Sequence, residues 1–498
     1  MVFTQFGFIS VLLVIVSLWS SQSQAGTYNL RLVGRNHHGP NMENRALGEA
    51  NMIRVMIACG VETKIDCMER ILASVPDGAV DFIHYLETAN AYAVYLDEQY
   101  LDHVQGVQSD PTRRHQHRPD SKEKPRIRTS SQEIPAGVHM VKAPQVWEKY
   151  EVKGEDVLVC VIDTGVNRDH PDLDLERLSG FDGAGGLVTP WWRDSDGHGT
   201  HVVGTIAAKD NTKGLVGVAP KVDVYAVRIV ASEDDEIYSS DMVAALEICR
   251  ASGAQVVSMS LGGLESSVME EATLKAFFEN DDIVAVAAAG DTGGDDLVYP
   301  AAYNFVLSVA AVDQGGNRAS FSTWNDMVDI SAPGVSVLST WADGTYLSMS
   351  GTDMACPHVT GVVALMLSVD PYLSPSEVFE TLKATAVNPN DWEWDMYYGS
   401  GIVNALAAVD SVYEGEDHTD GHYDSDGNNN EFGGIDYNYD SGDHESDDKE
   451  EAEEVGESYP PVGNYDFVTV NKRGPENPIP TDNDPSSVPN SEDDNGLG

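Results

Sequence analysis

The sequence predicts an α/β protein: a parallel sheet covered by helices on both faces, preceded by a small α+β unit and followed by a disordered acidic tail. Three observations predict this. Over residues 131–412, apolar runs of strand length alternate with stretches of helical apolar spacing, the pattern of a parallel sheet with crossover helices. Residues 26–110 carry a separate mixture of both periods. From residue 413 the periodicity stops and Asp, Glu, Gly, Asn, Ser, Tyr and Pro dominate. Such a segment cannot bury enough apolar surface to offset its chain entropy.

In chain order, residues 6–19 form an apolar run that ends in Ser-Gln-Ser-Gln-Ala25. Small residues after a short apolar core read as a secretory signal over residues 1–25, and hence a secreted protein. The run is short for a bilayer and no other run reaches spanning length, so no transmembrane span is expected. In residues 26–110, segments 50–59 and 67–75 have helix-like spacing, whereas 82–86 and 91–96 alternate like strands. Residues 111–130 hold Arg113, Arg114, Arg118, Lys122, Lys124, Arg126 and Arg128 with Pro and no apolar period. That is a basic linker, either a solvated spacer or a protease-sensitive junction. In the body, strands are expected at 157–162, 222–229, 254–260, 283–289 and 306–312. Helices are expected at 201–208, 239–251, 268–279, 354–369, 376–385 and 403–412. Such a sheet carries its site at the carboxyl ends of its strands.

The 498 residues include 81 acids against 30 Lys and Arg, a net charge of −51. That excess argues against nucleic acid or an anionic membrane as partner, since phosphates require basic groups. Residues 411–498 contribute 25 acids and three bases. A solubilising tail is the plain reading, and a calcium- or partner-binding extracellular tail is the alternative. Of five cysteines, Cys59 and Cys67 are close enough in sequence to pair. The odd count leaves at least one thiol unpaired within the chain. The pairs His37-His38 and His115-Gln-His117 lack a Cys or carboxylate frame, so they read as surface groups.

Three local patterns carry chemistry. Val157-Leu-Val-Cys-Val-Ile-Asp163-Thr-Gly is a buried strand ending in an acid and a glycine turn. Asp196-Gly-His198-Gly-Thr-His201 sets glycines on both sides of His198 ahead of a helix. Ser350-Gly-Thr-Asp353-Met-Ala-Cys-Pro-His358 opens another apolar helix. The order Asp, His, third residue at a helix head is that of one class of Ser-His-Asp hydrolases.

From about Gln132 to Val409 the sequence resembles the subtilisin-like serine proteases, and residues 26–110 more loosely resemble their propeptide inhibitor domain. Leu215-Val-Gly-Val-Ala-Pro, Ser258-Met-Ser-Leu-Gly-Gly263 and Ala288-Ala-Gly-Asp291 support the resemblance. It implies that Asp163 orients the imidazole and His198 is the general base. It implies that Ser260, Leu261 and Gly262 pair with extended substrate, and that Thr352 flanks the oxyanion region. It also implies a structural Ca²⁺ held by Gln132, Asp172, Asn211 and the carbonyls of Lys209, Lys213 and Leu215. The expected partner is a peptide or protein in the cleft, or the chain's own propeptide.

Two positions depart from the family pattern. Asp353 stands where the family has its nucleophilic Ser, and Asp291 where it has an oxyanion-hole Asn. An ionised carboxylate offers His198 no proton to abstract and is a poor nucleophile toward an amide. Beside His198 it stabilises the imidazolium, which cannot act as a base. Asp291, if ionised, repels the developing oxyanion. The expectation is therefore a catalytically impaired or inactive homologue with a raised His198 pKa, and the alternative is an active endopeptidase. Ser350 and Cys356 read as structural rather than as substitute nucleophiles. Without self-cleavage, either another protease cuts near Arg126-Ile-Arg128 or the propeptide stays docked in the cleft.

Overall fold

In the computed structural model, the description covers residues 52–76, 78–115, 118–119, 131–182, 190–230, 237–390 and 392–416. The expected signal segment, His37-His38, His117, the Arg126–Arg128 stretch and the acidic tail beyond residue 416 lie outside them.

The first unit comprises β1 (Met52–Ala58), α1 (Lys64–Ser74), β2 (Val80–Leu86), β3 (Ala91–Asp97) and β4 (Val107–Ser109), in a sheet of order β2-β3-β1-β4. Thr63 caps α1 by accepting from the Asp66 N–H. Cys59 and Cys67 form a disulfide beside this helix. The helix-like reading of segment 50–59 is corrected here, because β1 is a strand paired to both β3 and β4. Its run Met-Ile-Arg-Val-Met-Ile-Ala satisfies either period, and pairing on both edges decides for the strand.

Two short strands follow within the stretch read as a linker: β5 (Thr112–Arg113) and β6 (Arg118–Pro119). The body then runs α2 (Ala136–Met140), α3 (Ala143–Tyr150), β7 (Leu158–Asp163), β8 (Leu178–Gly180), α4 (His198–Ala207), β9 (Asp223–Arg228), β10 (Ile237–Tyr238), α5 (Ser239–Ala251), β11 (Val256–Met259) and α6 (Val268–Asn280). It continues with β12 (Val284–Ala288), β13 (Leu307–Val312), β14 (Ile330–Pro333), β15 (Val337–Thr340), β16 (Tyr346–Ser350), α7 (Thr352–Val369), α8 (Pro375–Thr385) and α9 (Ala405–Glu416).

Seven strands make the expected parallel sheet, in the order β14-β13-β12-β11-β7-β9-β8. Its two faces build separate cores. Val159 and Val161 of β7 pack with Val362 and Val363 of α7, whereas Cys160 and Ile162 pack with Leu246 of α5 and Phe277 of α6. Adjacent strand residues point to opposite faces, so a strand buried on both sides must be apolar throughout. Cys160 is disulfide-bonded to Cys249 of α5, and Cys356 is a free, buried thiol. Helix α7 is apolar enough and long enough to cross a membrane, but 89% of it is buried as the central core helix.

The first unit docks on α5 and α6. Met56, Leu86 and Ala91 pack against Val243 and Met269. Beside them Arg54 donates to Asp110 and to Asp241, each at 2.8 Å. Asp110 in turn accepts from the Ser240 N–H at 2.8 Å, satisfying a free donor in the first turn of α5.

Candidate active site

Asp163 ends β7, His198 opens α4, and Asp353 lies in the first turn of α7. Strand ends and helix heads thus converge at the carboxyl edge of the sheet. His198 Nδ1 lies 2.9 Å from Asp163 Oδ1 and 3.1 Å from Oδ2. On its other side, His198 Nε2 lies 3.4 Å from Asp353 Oδ2. All three side chains are buried. Gly197, before the histidine, sits at φ +113°, which a side chain would oppose. A Cβ at Gly199 would meet the Gly165 carbonyl at 2.1 Å, so this close approach of α4 to β7 requires glycine. Asp194, which the sequence did not single out, accepts from the Gly197 N–H at 2.7 Å and from the Thr200 N–H at 2.9 Å. It thereby fixes the turn that presents His198.

Burial alone would push the His198 pKa down. Asp163 and then Asp353 outweigh it and hold the imidazole well above its ordinary value. Burial pushes the Asp163 carboxyl up, and His198 and His115 outweigh it to hold that pKa low. The other histidines of the motifs behave oppositely. Burial drives His201 down to about 3 and His358 down to about 4, and both ring systems contact backbone carbonyls. Burial raises the Cys356 thiol to about 11, and Ser350 accepts from the Ser336 N–H. Both thus occupy structural positions.

Asp291 Oδ1 accepts from the Thr352 N–H at 2.8 Å and from its hydroxyl at 2.9 Å. Thr352 Oγ1 also accepts from the Gly290 N–H. Ser260 donates its hydroxyl to the Asp353 carbonyl at 2.8 Å. Gly262 exchanges two backbone hydrogen bonds of 2.8 Å with Arg114, Leu261 between them is buried, and β5 pairs antiparallel with β10.

Residues 112–115 therefore lie as an extended strand between two walls of the cleft, and β6 pairs with β16 just beyond. This departs from the linker expectation for those residues. The backbone pairing and one buried side chain account for it. Arg113 forms a salt bridge with Glu270 in which neither side chain is exposed, and Tyr303 donates its hydroxyl to the same carboxylate at 3.0 Å. His115 is also not a surface group. Its Nδ1 lies 2.8 Å from the Ser260 carbonyl oxygen, and its ring centroid is 4.3 Å from that of His198. The signal for these residues was the Arg113-Arg114-His115 run itself, which without a fold reads as solvated charge.

The expected metal ligands meet elsewhere, in one loop cluster. Gln132 donates to the carbonyls of Lys209 and Leu215, and its Oε1 accepts from the Asn211 N–H. Asn211 Nδ2 donates to Asp172 at 3.0 Å, and the Leu215 N–H donates to the same carboxylate at 2.6 Å. Lys213 enters through its N–H, donated to the Asn211 side chain.

The model described as the subtilase family (Peptidase S8) matches residues 154–422. The chain belongs to the subtilase family. This subtilase is 42% identical to Subtilisin DY of Bacillus licheniformis over 284 residues, 56% of the chain and 100% of that relative. It is 36% identical to M-protease of Shouchella clausii over 340 residues, 68% of the chain and 84% of the relative. Among solved structures, the psychrophilic subtilisin-like protease Apa1 from the Antarctic psychrotroph Pseudoalteromonas sp. AS-11 is similar. Its TM-score is 0.52 at 25% identity, covering 57% of this chain and 99% of that one.

Proposed function

We propose that this subtilase is a secreted, hydrolytically silent member of its family that holds its own prodomain strand in the peptide-binding cleft. One observation carries the reading: a carboxylate, that of Asp353, stands 3.4 Å from His198 Nε2, where a serine protease needs a hydroxyl. A hydroxyl would give its proton to His198 and attack the scissile carbonyl. The carboxylate has no such proton, and it favours the imidazolium that cannot accept one. Asp291 adds a second obstacle, since its carboxylate, accepting at Oδ1, supplies no donor where a developing oxyanion needs one. The strand 112–115 supports the cleft's retained capacity to bind extended peptide.

We also propose that the Gln132–Asp172–Asn211 cluster holds a structural Ca²⁺. The Asp172 carboxylate, the carbonyls of Lys209 and Leu215 and the amide oxygens of Gln132 and Asn211 suit a hard cation once both amides turn their oxygens, in place of their Nε2 and Nδ2, toward it. Among the described residues Asp172 forms no salt bridge, and burial pushes its carboxyl pKa up. A divalent cation would offset that penalty by charge. When bound, calcium would tie the 209–215 loop to the start of the body at Gln132.

Labelling with a fluorophosphonate tests the silent reading. The full chain should not label, and an Asp353→Ser variant should label through the new hydroxyl. Strong labelling of the unmodified chain would overturn the proposal.

A further inference from the structure

A second ligand set arises where the prodomain strand crosses the catalytic residues. His115, His198 and Asp353 each bring one donor atom within 4.8 Å of the other two, and the last two are fully buried. Two imidazoles and a carboxylate are a tetrahedral zinc set with one position left for water. At zinc bond lengths of about 2.0–2.1 Å, the edge of a tetrahedron measures about 3.3–3.4 Å. The His198 Nε2 to Asp353 Oδ2 separation is 3.4 Å. The two edges to His115 are at most 4.8 Å, so closing them requires a shift of up to roughly 1.4 Å in that half-buried residue, which follows the two-residue strand β5.

The outer partners are present as well. Each imidazole has Nδ1 against an oxygen acceptor: Asp163 for His198 at 2.9 Å, and the Ser260 carbonyl for His115 at 2.8 Å. Metal-bound histidines characteristically donate their second nitrogen to a carboxylate or a backbone carbonyl, which fixes the tautomer and turns the other nitrogen toward the metal. Both forms of that support occur here, one on each ring.

We propose that His115, His198 and Asp353 form a zinc site that links the prodomain strand to the cleft. Two ligands come from the body and one from the strand, so the metal binds tightly only while the strand is docked. A bound zinc ion would thus lock the occupied cleft. The site needs a carboxylate at position 353, and a hydroxyl there would remove a charged ligand. It uses the same Asp353 as the proposed loss of hydrolysis but does not depend on it. Fluorophosphonate reads a nucleophile, whereas the experiment below reads metal.

The test is calorimetric titration of the chelator-stripped full chain with zinc alone, at saturating calcium. His115→Ala, Asp353→Asn and His115→Cys are titrated beside it. One tight zinc per chain is expected. It should weaken at least 10- to 100-fold, the loss typical of an outer-partner change, in the Ala and Asn variants. His115→Cys, which restores a ligand, should recover it. Cobalt(II) in place of zinc should give tetrahedral visible absorption in the unmodified chain and lose it in the two weakened variants. Superimposable zinc isotherms for the unmodified chain, His115→Ala and Asp353→Asn would overturn the proposal. If His115→Ala fails to fold, the near-isosteric Asp353→Asn decides alone.

Discussion

Arg113 and Glu270, separated by 157 residues in sequence, meet as an ion pair with both side chains fully buried. Arg113 lies in β5, which follows the first unit, and Glu270 lies in the first turn of α6. The pair therefore fastens one unit to the other. Glu270 thus receives the arginine one residue before the strand position that pairs with Gly262.

Breaking that pair from one side leaves a buried charge without its partner, at a typical cost of about 3–5 kcal/mol. Glu270→Ala should therefore free the strand, seen as faster trypsin cleavage within residues 112–128 and a lower melting temperature. The double variant Arg113→Met with Glu270→Leu should recover most of the loss, because an apolar pair needs no charge compensation. Equal destabilisation of the single and double variants would contradict this account.

His198 between Asp163 and Asp353 has a folded-state pKa well above the ordinary 6.5. A raised folded pKa adds stability that is fully present below the unfolded value. It is lost as pH rises through the folded one. In zinc-free buffer, a histidine NMR titration should show His198 still protonated above pH 6.5, and Asp353→Asn should lower its midpoint. The stability advantage of the unmodified chain over Asp353→Asn should be largest just below about pH 6.5 and shrink at higher pH. An ordinary His198 midpoint would be incompatible with this geometry.

Placing a hydroxyl at position 353 should expose the effect of Asp291. In the Asp353→Ser background, Asp291→Asn supplies a side-chain donor where the carboxylate now accepts from Thr352. Loss of one oxyanion donor typically costs about 10²–10³ in kcat. The added Asn should raise the labelling rate by up to that factor.

Calcium should raise the melting temperature of the full chain, and chelation should lower it. A ligand at 100 times its Kd stabilises by about 2.7 kcal/mol. Asp172→Asn should remove most of that response while leaving zinc binding at His198 intact, since the two clusters share no residue. A calcium response unchanged in Asp172→Asn would place the ion elsewhere.

The local code of the chain determined the parallel sheet, most of its helices and the positions of Asp163 and His198. Strands β7, β9, β11, β12 and β13 were legible because a strand buried on both faces must be apolar along its length. Short edge strands such as β8 and β14 were not, because three or four residues carry no period. Segment 50–59 satisfied two periods, and only its neighbours β3 and β4 made it a strand.

The tertiary structure alone decided what Arg113, His115 and Glu270 do. In sequence they are a basic run and a helix-opening acid, both of which ordinarily face water. Folding brings each into contact with a partner 145 to 157 residues away in sequence. Contacts at that separation are paid for in loop closure and repaid by burial, and no local pattern records them. Asp353 belongs to both levels. Its residue type puts a carboxylate rather than a hydroxyl in the first turn of α7, and only the fold brings that carboxylate to His198 and His115.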